Sequence, residues 1–188
     1  MNVIVGLGNP GKQYQNTRHN TGFVFLDHLS HVWSNTASWN LEQKLKAEIS
    51  KTTNQKGNEV LLVKPQTFMN ASGEAVKKIV DYYRLLPKTS LVLVYDDLDI
   101  EFGSWKIQMG KSPRIHNGVN SVINHLGTGE FWNIRIGIAG SLLGTIKEHE
   151  GSVAQNYVLK PFSLEEKQQL PGLFEKILVA ARATCPVF

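Results

Sequence analysis

Leu91-Val92-Leu93-Val94-Tyr95, running straight into Asp96-Asp97-Leu98-Asp99, is the stretch that decides the fold. Its first half does not alternate between apolar and polar residues, so it predicts a strand buried on both faces, as in the middle of a parallel sheet. Such a sheet needs helices on both sides, and the flanking sequence alternates them with further strands. Asn2 to Leu7 reads as a first strand, closed by the turn cluster Gly8-Asn9-Pro10-Gly11. Lys46 to Lys51 and Glu59 to Lys64 read as strands paired across the polar stretch Thr52 to Asn58, with two more at Ser104 to Met109 and Ile134 to Ala139. A helix is expected over Thr21 to His31, with Phe23 and Leu26 facing inward and Val24 a further inward candidate. A second follows the spacing of Val76, Ile79, Val80 and Tyr83, with Asn70 or Ser72 as its cap. A third carries Val119, Val122, Ile123 and Leu126, with Asn117 before it and Gly127 after it. The last opens at the capping-box pattern Ser163-Leu164-Glu165-Glu166 and is expected to be interrupted at Pro171-Gly172. The expectation is an α/β fold: residues 1–188 as a single domain with a twisted, mixed, largely parallel sheet flanked by helices.

The chain carries 20 Lys and Arg against 16 Asp and Glu, a net charge of +4 with a pI near 9.1. This excess is compatible with a nucleic-acid or phosphate partner but does not require one. Cys185 is the only cysteine, so no internal disulfide forms. The opening Met1-Asn2-Val3-Ile4-Val5-Gly6 resembles neither a signal nor a transit peptide. No window approaches the roughly 18 uninterrupted apolar residues of a membrane span. The expected location is cytoplasmic.

Gly6-Leu7-Gly8-Asn9-Pro10-Gly11 matches the G-x-G-x-x-G dinucleotide fingerprint and follows a strand. The fingerprint works by opening a helix on a pyrophosphate, with an acid about 20 residues further on holding the ribose. Here Lys12 to Asn20 is polar with no helical stripe, and Asp27, the nearest acid, lies inside a predicted helix. The glycines instead read as a sharp turn that brings Asn9 to the carboxyl edge of the sheet.

Ligands of open α/β sheets collect at that edge. Asn9, Asn70 and Asp96 are expected to emerge there, with His19 and Asn20 on the loop leaving the first turn and His116 and Asn117 before a helix. A neutral imidazole can take a proton from water near neutral pH. A carboxylate on its other nitrogen fixes the tautomer, and carboxamides can donate to a developing oxyanion. Taken singly, Asn70 and Asn117 also sit where helix caps belong, and Asp96 could be a turn residue.

Several motifs together resemble the bacterial peptidyl-tRNA hydrolase family. They are Val5-Gly6-Leu7-Gly8-Asn9-Pro10-Gly11, Tyr14 and Thr17-Arg18-His19-Asn20-x-Gly22, then Lys64-Pro65-Gln66-Thr67-Phe68-Met69-Asn70-x-Ser72-Gly73. Asp96-Asp97-Leu98-Asp99, His116-Asn117-Gly118 and Arg135-Ile136-Gly137-Ile138 follow in the family's order. The resemblance covers nearly the whole chain. It implies that His19 is the catalytic base, that Asp96 orients it, and that Asn9, Asn70 and Asn117 bind substrate, the last with a positioned water. It places Tyr14 and Met69 on lining positions of the cleft. It also implies a monomer with no metal or other cofactor, acting on peptidyl-tRNA dropped from ribosomes to release tRNA and peptide.

One segment departs from the family. A usually glycine-rich stretch reads Gly110-Lys111-Ser112-Pro113-Arg114-Ile115, and a basic position near the tRNA 5′ phosphate is Gln108. Lys106, Lys111 and Arg114 keep the region basic and are candidate replacement phosphate contacts, with Lys147 a weaker one. Arg135 is either a phosphate contact or an ion-pair partner. Two other readings compete: a non-catalytic RNA-binding protein of the same fold, and a nicotinamide oxidoreductase. There is no G-x-S-x-G nucleophile elbow, and His28 and His31 lack companion metal ligands.

Overall fold

The run Leu91–Tyr95 occupies the middle of a seven-stranded sheet in the computed structural model, which describes residues 1–34, 38–113, 115–140 and 152–188. In chain order the elements are β1 (Asn2–Gly6), α1 (Thr21–Ser34), β2 (Asn40–Glu42), β3 (Ala47–Thr53) and β4 (Glu59–Pro65). Next come α2 (Ser72–Tyr82), α3 (Pro87–Ser90), β5 (Leu91–Glu101), β6 (Trp105–Met109) and α4 (Asn117–Leu126). β7 (Trp132–Ala139), α5 (Ser152–Val158) and α6 (Leu164–Thr184) complete the described elements. The strand order is β2-β3-β4-β1-β5-β7-β6. The centre, β4-β1-β5-β7, is parallel, and antiparallel pairings add β2 and β3 at one edge and β6 at the other.

Two apolar clusters form, one on each face. Successive side chains of a strand point to opposite faces, so Val92 and Val94 join Ile4, Leu62, Ile134 and Ile136 under α1 and α6. Leu91, Leu93 and Tyr95 join Val3, Val5, Leu61 and Val63 under α2 and α4. Each such buried side chain contributes about 1.5–3 kcal/mol of burial free energy.

Close backbone approach fixes where α1 begins. A Cβ on Gly22 would lie 2.3 Å from the Val94 carbonyl oxygen and 2.6 Å from the Leu7 nitrogen. Only glycine lets the first turn of α1 rest on β1 and β5. The residues just before it, including His19, are thereby delivered to the carboxyl edge.

Several boundaries differ from the sequence expectation. Asp96 to Asp99 do not follow β5 but lie within it. Asp96 pairs with Ile136 and Asp97 with Gly137, and after an irregularity Glu101 pairs with Ala139. The neighbouring strand overrides the low strand propensity of aspartate. Neither Asn70 nor Ser72 caps α2, whose N-cap is Ala71 with no side-chain bond. Asn117 is not the cap of α4 either, because His116 takes that role, its Nδ1 accepting from the Val119 N–H at 3.2 Å. α6 runs unbroken through Pro171, since Leu170, Leu173, Phe174 and Ile177 are buried on both sides of it and hold the helix in place. The capping box at Ser163 and Glu166 forms as expected. Among the described residues no helix is long and apolar enough to cross a membrane.

Candidate active site

Three segments meet through Asn9, just beyond β1. Its backbone N–H donates to Asn20 Oδ1 and its carbonyl accepts from Asn20 Nδ2, both at 2.9 Å. Its side-chain Oδ1 accepts from the Met69 N–H at 2.8 Å. Because only the oxygen can accept from that N–H, the orientation of the carboxamide is determined and Nδ2 remains as a donor. Gly11 (φ 108°) leads into a short 3-10 turn, Lys12–Tyr14, rather than an α-helix, so the geometry of a dinucleotide site is not built.

His19 lies in the 3-10 turn Arg18–Asn20, between Asn9 and the start of α1. Its Nδ1 lies 2.9 and 3.0 Å from the two oxygens of Asp96. A carboxylate there makes Nδ1 the protonated nitrogen, so Nε2 carries the lone pair. Asp96 is 1% exposed. Its Oδ1 also lies 3.3 Å from His116 Nε2. Since His116 Nδ1 accepts from Val119, Nε2 must carry the hydrogen and donate to Asp96. One carboxylate thus holds two imidazoles, whose ring centroids are 5.3 Å apart.

The electrostatics follow from this contact. Burial works against the charged form of His19, but attraction and hydrogen bonding from Asp96 outweigh it, and its pKa is raised above the ordinary 6.5. Burial likewise opposes ionisation of Asp96. The charge of His19 and the bonds from both histidines overcome it and hold the carboxyl well below its ordinary range.

Other expected residues lie around this pair. Asn70, in the turn Met69–Ala71, and Asn117, the first residue of α4, are exposed, and neither carboxamide bonds to another described residue. Their turns are in contact: a Cβ on Gly118 would sit 2.4 Å from Met69 Sδ. Met69 is buried, whereas Phe68 is 58% exposed and packs edge-on against Tyr14 with ring centroids 6.4 Å apart. The sequence places His116 before a helix and in a motif with Asn117 and Gly118, with no partner assigned to its ring. Its bond to Asp96 is visible only in three dimensions, as are those of Asn20. The concavity between α1 and α6, lined by Val24, His28, Phe162, Leu170 and Phe174, contains none of these groups.

The basic candidates divide. Lys106 is exposed on the edge strand β6 and Lys111 is exposed just beyond it, while Arg114 and Lys147 lie outside the described residues. Arg135 is buried, with Nε donating to Asp97 Oδ2 at 2.6 Å and a guanidinium nitrogen 3.4 Å from Gln108 Oε1. The ion pair of its two readings is thus present, and it also occupies one oxygen of Asp97. His28 pairs with Glu175. Among the described residues, His19, Asp96 and His116 form the one group with metal-ligand side chains close together. With the α4 cap in place, however, His116 Nε2 presents a hydrogen to Asp96 rather than a lone pair.

The sequence model of the family described as peptidyl-tRNA hydrolase matches residues 3–186. The chain is 40% identical over 183 residues to a peptidyl-tRNA hydrolase of Brevibacillus brevis, covering 97% of this chain and 89% of that one. It is 40% identical over 184 residues to the Bacillus subtilis protein of the same name, covering 98% and 92%. Its fold is similar to the crystal structure of peptidyl-tRNA hydrolase from Acinetobacter baumannii, with a TM-score of 0.81, 28% identity, and coverage of 97% and 90%.

Proposed function

The chain belongs to the peptidyl-tRNA hydrolase family, and from that premise we propose that it cuts the ester joining a peptide to the 3′ end of tRNA, using water activated by His19. The observation that carries this reading is the contact of His19 Nδ1 with both oxygens of the buried Asp96, which leaves Nε2 to take a proton.

The ester carbonyl binds beside Asn9, and a water held with help from Asn117 approaches Nε2. As His19 takes its proton, the water oxygen attacks the carbonyl carbon to give a tetrahedral oxyanion. Asn9 Nδ2, left as a donor by the Met69 bond, is suited to stabilise that charge. Collapse breaks the bond to the ribose oxygen, which recovers the proton from His19, and peptide acid and tRNA are released. General-base assistance is worth roughly 10²- to 10⁴-fold, and an oxyanion donor about 3 kcal/mol. An ester is cleaved more readily than an amide, so this route uses no metal or other cofactor and no covalent nucleophile. Asn70 holds the substrate, while Tyr14 and Met69 line the cleft. Lys106, Lys111 and Arg114 are the proposed phosphate contacts, with Arg135, whose Nε is paired with Asp97, as a further candidate. The enzyme is read as a cytoplasmic monomer, with residues 1–188 as one domain.

Incubation with N-blocked aminoacyl-tRNA tests this. Release of free tRNA is expected, and tRNA binding without release would instead support a non-catalytic RNA-binding protein. His19→Ala should abolish nearly all turnover with tRNA affinity largely intact; turnover near wild type would refute the base.

A further inference from the structure

We propose that Arg18 is a positioning residue for the reaction, fixing His19 through the junction between α5 and α6. This rests on His19 being the base. The turn Arg18–Asn20 spans only three residues, and its members point in three directions. His19 faces Asp96, Asn20 is tied to the backbone of Asn9, and Arg18 reaches away from the site. The placement of His19 therefore depends on anchors on both sides of it, and the Arg18 anchor is the more elaborate.

The Arg18 guanidinium donates to Glu166 Oε2 at 2.6 Å and to the Pro161 carbonyl. Its carbon lies 4.6 Å from the Tyr157 ring centroid and 5.1 Å from that of Phe162. The backbone N–H of Arg18 donates to the Lys160 carbonyl at 3.0 Å, and Thr17 forms an antiparallel bridge with Pro161. The partners are themselves braced. Glu166 closes the α6 capping box by accepting from the Ser163 N–H at 2.7 Å. The Tyr157 hydroxyl donates to the Ile138 carbonyl at 2.9 Å and accepts from the Gly140 N–H at 3.1 Å, tying α5 to the end of β7.

A planar guanidinium suits this position: its fork serves a carboxylate and a carbonyl together while its faces rest on aromatic rings. Lysine offers a single charged point and no plane. Among the described residues none of these partners bonds to His19 or Asp96 through its side chain, and the shortest covalent route from the clamp to the chemistry is the peptide link from Arg18 to His19. Displacing a catalytic group by about 1 Å can cost about 10²-fold in rate, so the clamp should affect kcat and leave substrate binding largely unchanged.

The test compares Arg18→Ala, Glu166→Gln and His19→Ala with Ile177→Val, a truncation buried elsewhere in α6. Steady-state turnover of N-blocked aminoacyl-tRNA, Tm and the ¹⁵N resonances of the His19 ring are measured for each. Arg18→Ala should lower kcat about 10- to 100-fold with KM changed by less than about twofold, and should shift the His19 ring resonances. Glu166→Gln should act in the same direction more weakly. Ile177→Val should lower Tm and leave kcat and the ring resonances in place. The proposal is overturned if Arg18→Ala keeps wild-type kcat, if its loss lies in KM, or if Ile177→Val loses as much kcat at a matched loss of Tm. Should Arg18→Ala fail to fold, Glu166→Gln decides by the same criteria. Turnover by His19→Ala would defeat the base assignment itself, whereas an inactive His19→Ala beside a fully active Arg18→Ala would defeat only the clamp.

Discussion

Asp96 and Asp97 are adjacent on β5, are 1% and 2% exposed, and serve opposite purposes. Alternation along the strand turns Asp96 toward the start of α1, where it meets His19, and turns Asp97 toward Arg135 on β7. Burial of a carboxylate demands a partner in either case. The difference lies in what the partner can do. A guanidinium holds its proton at every physiological pH, so the Asp97 pair is a fixed element of the sheet. An imidazole can release and regain its proton, so the Asp96 pair can move one. Two like residues in one strand thus face partners of different titration range, one suited to a fixed support and the other to the proposed reaction centre.

Exchanging the two carboxylates for amides should separate these roles. Asp96→Asn is expected to cost on the order of 10²- to 10⁴-fold in kcat/KM, because an amide neither fixes the His19 tautomer nor stabilises its charged form. Steady-state kinetics on N-blocked aminoacyl-tRNA checks this. Asp97→Asn should instead lower stability by about 3–5 kcal/mol in urea unfolding, since it leaves the Arg135 charge buried and unpaired, while the folded fraction keeps most of its kcat. The contrast breaks if Asp97→Asn loses turnover like Asp96→Asn while its unfolding curve stays in place.

The central strand, the pattern of α4, the αL glycine at Gly127 and the capping box of α6 were all legible, because each is a local signal with a local cause. The residue types of the candidate site, His19 and Asp96 among them, were legible too, through motifs. What connects them was not. Four Asp and Leu residues after an apolar run look like a turn, and only the register against Ile136 and Gly137 keeps Asp96 and Asp97 in the strand. His116 escaped because cap preferences favour Asn, Ser, Thr and Asp, which pointed to Asn117. An imidazole caps only in the tautomer that its bond to Asp96 selects, and that bond spans 20 residues of sequence. The continuity of α6 through Pro171 likewise depends on tertiary burial on both sides.

That double role makes His116 the next test of what distinguishes the Asp96 side. Its ring donates to the carboxylate and accepts from the Val119 N–H, so it joins Asp96 to the helix that begins with Asn117. Losing a hydrogen bond to a charged group costs about 1.5–3 kcal/mol, so His116→Ala should lower kcat roughly 10- to 100-fold. Loss of the cap should take about 1 kcal/mol of stability as well. His116→Asn restores a good cap on a side chain too short to reach Asp96. Its Tm should recover while kcat stays low; recovery of both would mean that the cap, not the carboxylate contact, carries the effect.

The smallest effect expected is a displacement in pH, and it opposes stability to activity at the same pair. The pKa of His19 is raised above 6.5 in the folded protein, so its contribution to stability is fully present below 6.5 and is lost as pH rises through the folded value. Asp96 is depressed below 3.8, so its contribution is present above that value and is lost as pH falls through the folded pKa. Between these limits the imidazolium–carboxylate pair is most stabilising, yet there His19 already holds the proton that the proposed base must accept. The rising limb of kcat/KM should therefore lie above pH 6.5, where the pair's contribution to unfolding free energy declines. In Asp96→Asn the raising influences vanish while burial remains, so the limb should move below 6.5 and the matching slope in stability should disappear. Kinetic and urea-unfolding profiles on the same pH series would test both together. A limb that stayed in place in Asp96→Asn would mean that some group other than His19 takes the proton from water.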